Sequence, residues 1–300
     1  MSTQIAIASE ECKKDGLCVK VCPVRIFTAA EGQLPSIHDA EHCVLCGQCL
    51  AVCPSNCITH SRLEQARLSR IEDRKPVEGS AMVEHLRQRR SVRVYKPVPV
   101  ERELLERIAS VAAYAPTSAH GGEGWVRSVT LVSGAADMSR VLEFTVQYMD
   151  ELRRLLRSPM VRLVAKLKIE PRRARSMLHD MDMRLSEHGQ GRDAVIYGAP
   201  AAAFVHTPET TPEPHADGDS ALFSMMLAAH AFGLGTCWNG WIAKAADAFK
   251  VKRATGLRRM LQIPEHHTVV AAMTLGYPAV KLHSVPQREV AVHWPSASGS

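Results

Sequence analysis

The chain carries two copies of one cysteine pattern near its N-terminus. The second copy reads CVLCGQCLAVCP from Cys43 to Pro54, with cysteines separated by two, two and three residues. The first copy, CKKDGLCVKVCP from Cys12 to Pro23, keeps this frame but has Asp15 where the second cysteine would stand. Three closely spaced thiolates followed by a fourth cysteine and a proline are typical of an iron–sulfur cluster site. The repeat therefore predicts a small folded domain built around two clusters.

The two clusters are expected to share ligands between the copies, because the last cysteine of each copy binds the cluster of the other copy in such a repeat. The ligands of one cluster would be Cys22, Cys43, Cys46 and Cys49. The ligands of the other would be Cys12, Cys18 and Cys53, with either Asp15 or nothing at the fourth corner. A carboxylate is a harder ligand than a thiolate. We therefore expect a [4Fe-4S] cluster at the first site and a [4Fe-4S] or [3Fe-4S] cluster at the second.

Other uses of these cysteines fit less well. Paired cysteines also bind zinc, but eight positions at fixed spacing and two Cys-Pro ends favour clusters. A disulfide framework is disfavoured because no secretory segment precedes the cysteines and a chain of 300 residues needs no such cross-links. Cys57 follows the second copy and is expected to be a packed thiol. Its thiol would reach an open corner of the second cluster only if the turn before Cys57 bends back.

Composition predicts a chain with a full hydrophobic core and no membrane span. The 300 residues exceed one average domain, and 46% of them are hydrophobic. No apolar run reaches the roughly 18 residues that a membrane-crossing helix needs. The net charge of +6 is mild, and only 5% of residues are aromatic, which disfavours nucleic acid as a partner. Reduced cysteines and clusters indicate a cytoplasmic setting.

The sequence divides after the cysteine repeat. Residues 1–60 form the predicted cluster domain, residues 61–80 a charged linker, and residues 81–300 a larger domain. A helical pattern after the linker ends at Arg89, Arg90, Ser91 and Arg93. Guanidinium groups and a hydroxyl gathered in this way are suited to holding a phosphate group. The alternative is a solvated basic helix end, favoured by the helix dipole.

Helices, strands and two loops of small residues follow in the larger domain. An amphipathic helix is predicted from Glu101 to Tyr114, and Pro116 stops it. The loop after it is poor in large side chains, so its backbone can approach a flat ligand closely. VRSVTLVSG predicts a strand, and a buried helix starting near Asp219 is closed by the glycines of GLGTCW. IPEHHTVVAAMTLGYP predicts a final strand and a turn.

These segments, in this order, resemble a known combination of two families. Residues 81–300 resemble the nitroreductase family of FMN flavoproteins through RRSVR, APTS, GLGTCW and the IPE to GYP segment. Residues 1–60 resemble a two-cluster bacterial ferredoxin domain. The resemblance implies an α+β fold, with a three-layer FMN-binding domain that forms an intertwined homodimer. It also implies that FMN binds in the dimer interface.

The resemblance assigns roles to particular residues. The RxSxR segment implies that the FMN phosphate is held by Arg89, Arg90, Ser91 and Arg93. The APTS segment implies that Pro116, Thr117 and Ser118 reach the pyrimidine side of the flavin. The glycine turn implies that the flavin ring lies beside Gly233, Leu234, Gly235 and Thr236. A basic residue after the GYP turn adds a phosphate contact in the family, here Lys281 or Arg288.

One loop departs from the family pattern. His120 and Gly122 stand where the family usually has asparagine and then glutamine, so the sequence lacks the two side chains that make the family's amide contacts to the flavin. The His120 imidazole can donate a hydrogen bond to the flavin edge or act as proton donor to the substrate, since it titrates near neutral pH. The alternative is that His120 faces solvent. Cys237, after the glycine turn, is expected to be a buried, small apolar residue rather than a nucleophile.

A basic and aliphatic insertion covers about residues 139–192. Its helical pattern predicts a lid over the flavin cleft or a segment that wraps a dimer. A basic surface for lipid or for an acidic electron donor is another interpretation, and a solvated helical face is the commonest use of such a pattern.

The two parts together predict an enzyme. Electrons would enter the clusters one at a time and collect on FMN, which reduces a small organic acceptor such as a nitroaromatic, a quinone, an activated alkene or a halogenated aromatic. The donor would be NAD(P)H or a reduced ferredoxin. An alternative is an electron-transfer subunit that passes electrons to a protein partner. A third alternative is a binding protein without redox chemistry.

Overall fold

The computed structural model describes residues 3–63, 77–118, 127–159, 170–247, 255–286 and 288–294. Its N-terminal unit, residues 3–63, contains two short antiparallel sheets and two short helices. These elements are β1 Ile5–Ile7, α1 Leu17–Val21, β2 Phe27–Thr28, β3 Ser36–Ile37, α2 Gln48–Val52 and β4 Ile58–His60. Strand β1 pairs with β4, and β2 pairs with β3. The pairing of the first strand with the last closes the unit.

The two halves of this unit have nearly the same backbone. Gly16 and Gly47 precede α1 and α2 in the left-handed region, with φ of 67° and 70°. A residue with a Cβ is disfavoured at such an angle, which accounts for glycine at both positions. Cys22 and Cys53 end the helices at the same φ and ψ, −73° and 111°. The sequence repeat is therefore also a repeat in structure.

The larger unit combines one sheet with helices on both of its faces. Its helices are α3 Gly79–Gln88, α4 Arg102–Ser110, α5 Ala135–Arg157, α6 Pro171–Gly189, α7 Pro214–Ala231, α8 Gly240–Asp247 and α9 Thr255–Met260. Its strands are β5 Ser128–Ser133, β6 Ala201–Pro208, β7 Gly235–Trp238 and β8 His267–Gly276. The four strands pair in the order β5-β6-β8-β7, and all pairs are antiparallel.

Strand β6 shows how the two faces are filled. Ala202 and Phe204 point into a core that includes residues of α5, α6 and α8. Ala201, Ala203 and Val205 point into a second core with residues of α4 and α7. Alternate residues of a strand face opposite sides of its sheet, so this pattern requires a helical layer on each side. The three-layer α+β fold expected from the sequence is confirmed.

Several local predictions can be compared with the structure. Helix α3 ends at Gln88, directly before the predicted cationic segment, and β5 and β8 lie where strands were predicted. The helix predicted from Glu101 to Tyr114 ends at Ser110 and continues as a 3-10 turn over Val111–Tyr114. The buried helix predicted to start near Asp219 starts earlier, because Pro214 occupies its first turn.

The described parts of the insertion are helical, as predicted. Val141 and Met149 of α5 and Met181 of α6 are fully buried in the core that covers one face of the sheet. These helices therefore complete a layer of the fold. The centre of the insertion, residues 160–169, lies outside the described residues, as do residues 64–76 of the predicted linker. The lid and the domain boundaries stay predictions. Among the described residues, no helix is both long and apolar enough to cross a membrane.

Candidate iron–sulfur and flavin sites

Two cavities lie in the N-terminal unit, and thiol groups line both of them. The first, here called the Asp15 cavity, is lined by Cys12, Asp15, Cys18, Cys53 and Cys57. The second, the Cys46 cavity, is lined by Cys22, Cys43, Cys46 and Cys49. The fold thus brings the last cysteine of each sequence copy to the cavity of the other copy. The structure thus brings together the residues predicted to bind each cluster, and it adds Cys57, which was not a predicted ligand, to the Asp15 cavity.

The Asp15 cavity combines thiols with one carboxylate. The backbone N–H of Lys14 donates to Cys12 Sγ at 3.4 Å, and Asp15 Oδ1 accepts from the Leu17 N–H at 3.0 Å. Cys53 Sγ lies 3.5 Å from Cys57 Sγ, and Cys57 is only 3% exposed. The turn after Cys53 therefore does bend back, and the packed thiol expected at Cys57 packs at this cavity.

The Cys46 cavity has the same backbone contacts to sulfur. The Leu45 N–H donates to Cys43 Sγ and the Ile26 N–H donates to Cys22 Sγ, both at 3.4 Å. His60 Nε2 also lies 3.4 Å from Cys43 Sγ, and burial lowers the pKa of this imidazole. Hydrogen bonds to sulfur stabilise the thiolate form and tune the potential of a bound cluster.

The chemistry of the lining fits iron–sulfur clusters. Burial raises the pKa of Cys49 to about 11 and also raises the pKa of Cys18 and Cys43. A thiol in such surroundings stays protonated unless a cation compensates the thiolate, which coordinated iron does. Among the residues that the structure describes, no three His, Cys, Asp or Glu side chains converge on a point where one metal ion would sit. The thiols instead surround cavities.

The predicted phosphate segment follows α3 and lies beside the glycine turn. Ser91 forms a parallel bridge with Thr236, and the Val92 N–H donates to the Thr236 carbonyl at 2.9 Å. A Cβ on Gly235 would lie 2.6 Å from Val92 Cγ2, so the two segments approach this closely only with glycine there. The structure therefore brings together two of the motifs that the family resemblance singled out. We call this group, residues 89–93 and 233–236, the phosphate patch.

Arg89 gives a direct reason to expect an anion at the phosphate patch. Its guanidinium is half-buried, and its Nη1 atom is buried with no hydrogen-bond partner among the residues that the structure describes. Burial, followed by the neighbouring Arg90, lowers the pKa of Arg89. A buried cationic nitrogen without an acceptor is costly. The phosphate of FMN supplies such an acceptor, so these residues fit the cofactor.

The remaining predicted phosphate contacts lie on exposed chain. Two hydrogen bonds, from the Lys96 N–H to the Tyr277 carbonyl and from the Ala279 N–H to the Val94 carbonyl, hold the chain after β8 beside the phosphate segment. Lys281 follows these bonds by two residues, and both Lys281 and Arg288 are exposed.

Cys237 is buried as expected, at 3% exposed, but its surroundings are more polar than predicted. Burial raises the pKa of its thiol, whereas Arg93 and a hydrogen bond with Ser91 act in the opposite direction. The Arg93 guanidinium also lies 5.9 Å from the centre of the Tyr197 ring. Cys237 is therefore buried as predicted, and the cationic segment lies beside its thiol.

The second flavin motif is held by a buried carboxylate that the sequence analysis missed. Asp217, near the start of α7, accepts from Thr117 Oγ1 at 2.9 Å and from the Ser118 N–H at 2.7 Å. Ser220 Oγ donates to the Pro116 carbonyl at 3.2 Å. Asp217 is 3% exposed, so the loop is fixed from inside the protein. We call residues 116–118 the loop patch.

The loop patch and the phosphate patch lie near opposite ends of α7. Asp217 holds the loop patch at the start of the helix. At its end, the His85 ring of α3 bonds to the Leu227 carbonyl at 3.0 Å and stacks 4.7 Å from the His230 ring. Thirteen residues of α-helix separate Asp217 from His230, a length of roughly 20 Å. His120, the predicted proton donor, lies outside the described residues.

The two sites fit one class of protein, an FMN-dependent oxidoreductase with an attached iron–sulfur domain. Residues 86–277 match the model of the nitroreductase family, and residues 37–59 match the model of the 4Fe-4S binding domain. The chain belongs to the nitroreductase family. Its N-terminal part is a ferredoxin-like iron–sulfur domain.

Individual relatives agree with this assignment. The chain is 27% identical to the nitroreductase NfnB of Mycolicibacterium smegmatis over 191 residues, which is 59% of this chain and 77% of the relative. It is 41% identical over 56 residues to a Methanothermobacter thermautotrophicus protein whose name couples NADH dehydrogenase with NAD(P)H nitroreductase. That match spans 19% of this chain and only 26% of the relative.

A solved structure shows the same fold. The FMN-bound nitroreductase of Bacteroides fragilis is 22% identical, with a TM-score of 0.50 over 71% of this chain and 98% of that protein. An FMN-bound nitroreductase of Desulfitobacterium hafniense is also 22% identical, with a TM-score of 0.50 over 70% and 97% of the two chains.

Proposed function

We propose that this protein is an FMN-dependent reductase that receives electrons through two iron–sulfur clusters and delivers them to a small organic acceptor. The observation that carries the proposal is the presence, in one chain, of two thiol-lined cavities and a phosphate patch with a buried, unpaired guanidinium nitrogen. Either feature alone fits a simpler protein. Their fusion fits a route from one-electron carriers to a two-electron cofactor.

In the N-terminal unit, the residues that line each cavity would bind one cluster. The Cys46 cavity offers four thiols, a set suited to a [4Fe-4S] cluster. In the Asp15 cavity, Asp15 supplies a weaker ligand for iron than a thiolate. The backbone N–H groups that donate to Cys12, Cys22 and Cys43 stabilise the negative charge on sulfur.

In the larger unit, the phosphate patch would hold FMN by charge and by hydrogen bonds. Arg89 supplies a buried cation, Arg90 and Arg93 add further charge, and Ser91 adds a hydroxyl. Lys281 or Arg288 would add a phosphate contact from the chain after β8. When bound, FMN accepts single electrons and passes two to an acceptor.

We propose that two copies of the chain complete each FMN site. Helix α3 exposes three apolar side chains, Met82, Val83 and Leu86, and α7 exposes Phe223. Several exposed, large apolar side chains on neighbouring helices are typical of an interface. The separation of roughly 20 Å along α7 also supports a site in which one copy supplies the phosphate patch and the other the loop patch.

The acceptor would be a nitroaromatic, a quinone, an activated alkene or a halogenated aromatic, stacked on the exposed flavin face. Protons would come from solvent or from His120. The donor would be NAD(P)H, which one relative's name mentions, or a reduced ferredoxin.

The test is turnover by the reconstituted protein without oxygen. Reduced protein is mixed with each acceptor, and reoxidation of the flavin is followed by absorbance. Rapid reoxidation by at least one small acceptor, with formation of its reduced product, is expected. If every small acceptor fails while an oxidised ferredoxin reoxidises the protein rapidly, the protein is an electron-transfer subunit and the reductase proposal is wrong.

A further inference from the structure

The two cavities can be compared position by position, because the two sequence copies are related by a constant offset of 31 residues. The match extends to positive φ angles, which residues other than glycine rarely adopt. Lys14 and Leu45 have φ of 55° and 54°, and Arg25 and Asn56 have φ of 54° and 53°. Differences between the cavities therefore reflect differences in side chains.

Among the matched positions that line the cavities, two pairs differ in whether they carry a thiol. Asp15 occupies the position that matches Cys46, so the Asp15 cavity lacks a thiol there. Cys57 occupies the position that matches Ile26, so the Asp15 cavity gains a thiol there. Each cavity is therefore lined by four cysteines, although only the Cys46 cavity has them in the regular spacing.

The position of Cys57 determines which iron it can reach. Its Sγ atom lies 3.5 Å from Cys53 Sγ. Two sulfur ligands of one tetrahedral metal, each about 2.3 Å from it, lie about 3.8 Å apart. Thiolates on different irons of one cubane are farther apart, because each iron carries a single thiolate on its own corner. Cys53 and Cys57 thus point to one corner of the cluster and not to two.

We propose that Cys57 is an alternative ligand for the iron that Cys53 binds, so that either thiol can occupy this corner. The proposal rests on the proposed two-cluster arrangement. In the exchange, the bond from iron to Cys57 sulfur forms as the bond to Cys53 sulfur breaks. The proton of the Cys57 thiol passes to the released Cys53 thiolate across their contact, so no electron is gained or lost.

The experiment uses full-length protein reconstituted anaerobically with iron and sulfide. Iron, sulfide and FMN are counted per chain, and the reduced clusters are recorded by EPR. The wild type is expected to hold about seven or eight irons. Cys53→Ala should retain this content, with an altered EPR signal from one cluster. Cys53→Ala combined with Cys57→Ala should lose about half of the iron and sulfide.

The Cys46 cavity supplies matched controls. Cys22→Ala should lose about half of the iron, because Ile26 at the matched position offers no ligand. Adding Ile26→Cys to Cys22→Ala should restore it. Unchanged FMN content would show that each variant is folded in its larger unit.

Two outcomes would overturn the proposal, and they are distinguishable. If wild-type protein holds two clusters but Cys53→Ala loses as much iron as the double variant, Cys57 is not a ligand and the two-cluster arrangement stands. If the wild type holds only about four irons, the two-cluster arrangement itself is wrong, and the Cys57 proposal is wrong with it.

Discussion

The N-terminal unit and the larger unit differ in what fills their cores. Half of the eight buried residues in the N-terminal core are cysteines, namely Cys18, Cys43, Cys49 and Cys57. The larger unit has apolar cores on both faces of its sheet, and none of the residues that form them is one of the three arginines of the phosphate patch. A unit of about 60 residues buries little surface on folding and is only marginally stable by its core alone. The iron–sulfur unit should therefore depend on its cofactors for folding, whereas the FMN unit should not.

Removal of the clusters should have the largest effect and would test this difference directly. A chelator under oxidising conditions is expected to unfold residues 3–63, because the cavities then leave buried thiols around empty space. The larger unit should keep its fold and its FMN. Hydrogen exchange followed by mass spectrometry of peptides from each unit measures this. Equal protection of the N-terminal peptides before and after cluster removal would show that the unit is stable by itself.

Arg89→Ala should have the next largest effect, confined to the FMN unit. Loss of a buried charge-assisted hydrogen bond costs about 1.5–3 kcal/mol, so the affinity for FMN should fall about 10- to 100-fold. Iron content should not change. The matched control is Arg87→Ala, an exposed residue of the same helix that pairs with Glu84. Fluorescence titration of FMN measures both, and equal affinities in the two variants would remove Arg89 from the phosphate patch.

Acid should destabilise the larger unit through a buried histidine pair. His206 Nδ1 lies 2.9 Å from His267 Nδ1, and burial, followed by His267 and then Arg258, lowers the pKa of His206 to about 4. In the unfolded chain this imidazole binds its proton near pH 6.5. The contribution of His206 to the free energy of unfolding is therefore fully present above that pH and is lost as the pH falls toward 4.

Between pH 6.5 and 5 this loss should be about 2 kcal/mol in the free energy of unfolding. Urea titrations of the larger unit's fluorescence at both pH values measure it. His206→Gln should reduce the difference, and an unchanged difference would place the acid sensitivity elsewhere.

Asp217→Asn should have the smallest effect. The amide keeps the size of the carboxylate but weakens its hydrogen bonds to Thr117 and Ser118, at a cost of about 1 kcal/mol. If the loop patch contacts the flavin, turnover should fall about threefold to tenfold. Asp219→Asn, two residues along the same helix, is the control. Steady-state kinetics with the best acceptor compare the two, and matching rates would separate the loop patch from the flavin.

The two units also differ in how much of their sites the sequence reveals. The repeat predicted the grouping of eight positions, because three positions of each group lie within one short loop and the fourth is the last cysteine of the other copy. It did not predict the location of Cys57, which depends on the turn at Asn56 adopting a positive φ.

In the larger unit, Arg89 and its neighbours were found because they are contiguous, and β8 because its run of apolar residues is long. Asp217 was missed, since its partner Thr117 lies 100 residues away and the fold alone joins them. The Tyr197 ring beside Arg93 was missed for the same reason.

We propose that electrons reach FMN through the clusters. This route is tested by the rate of FMN reduction when a one-electron donor, a reduced ferredoxin, is mixed anaerobically with wild type and with Cys22→Ala, which is expected to lose the cluster of the Cys46 cavity, both loaded with FMN. Reduction is expected to be at least about 100-fold slower in the variant, with unchanged FMN content. Equal rates in the two proteins would contradict it.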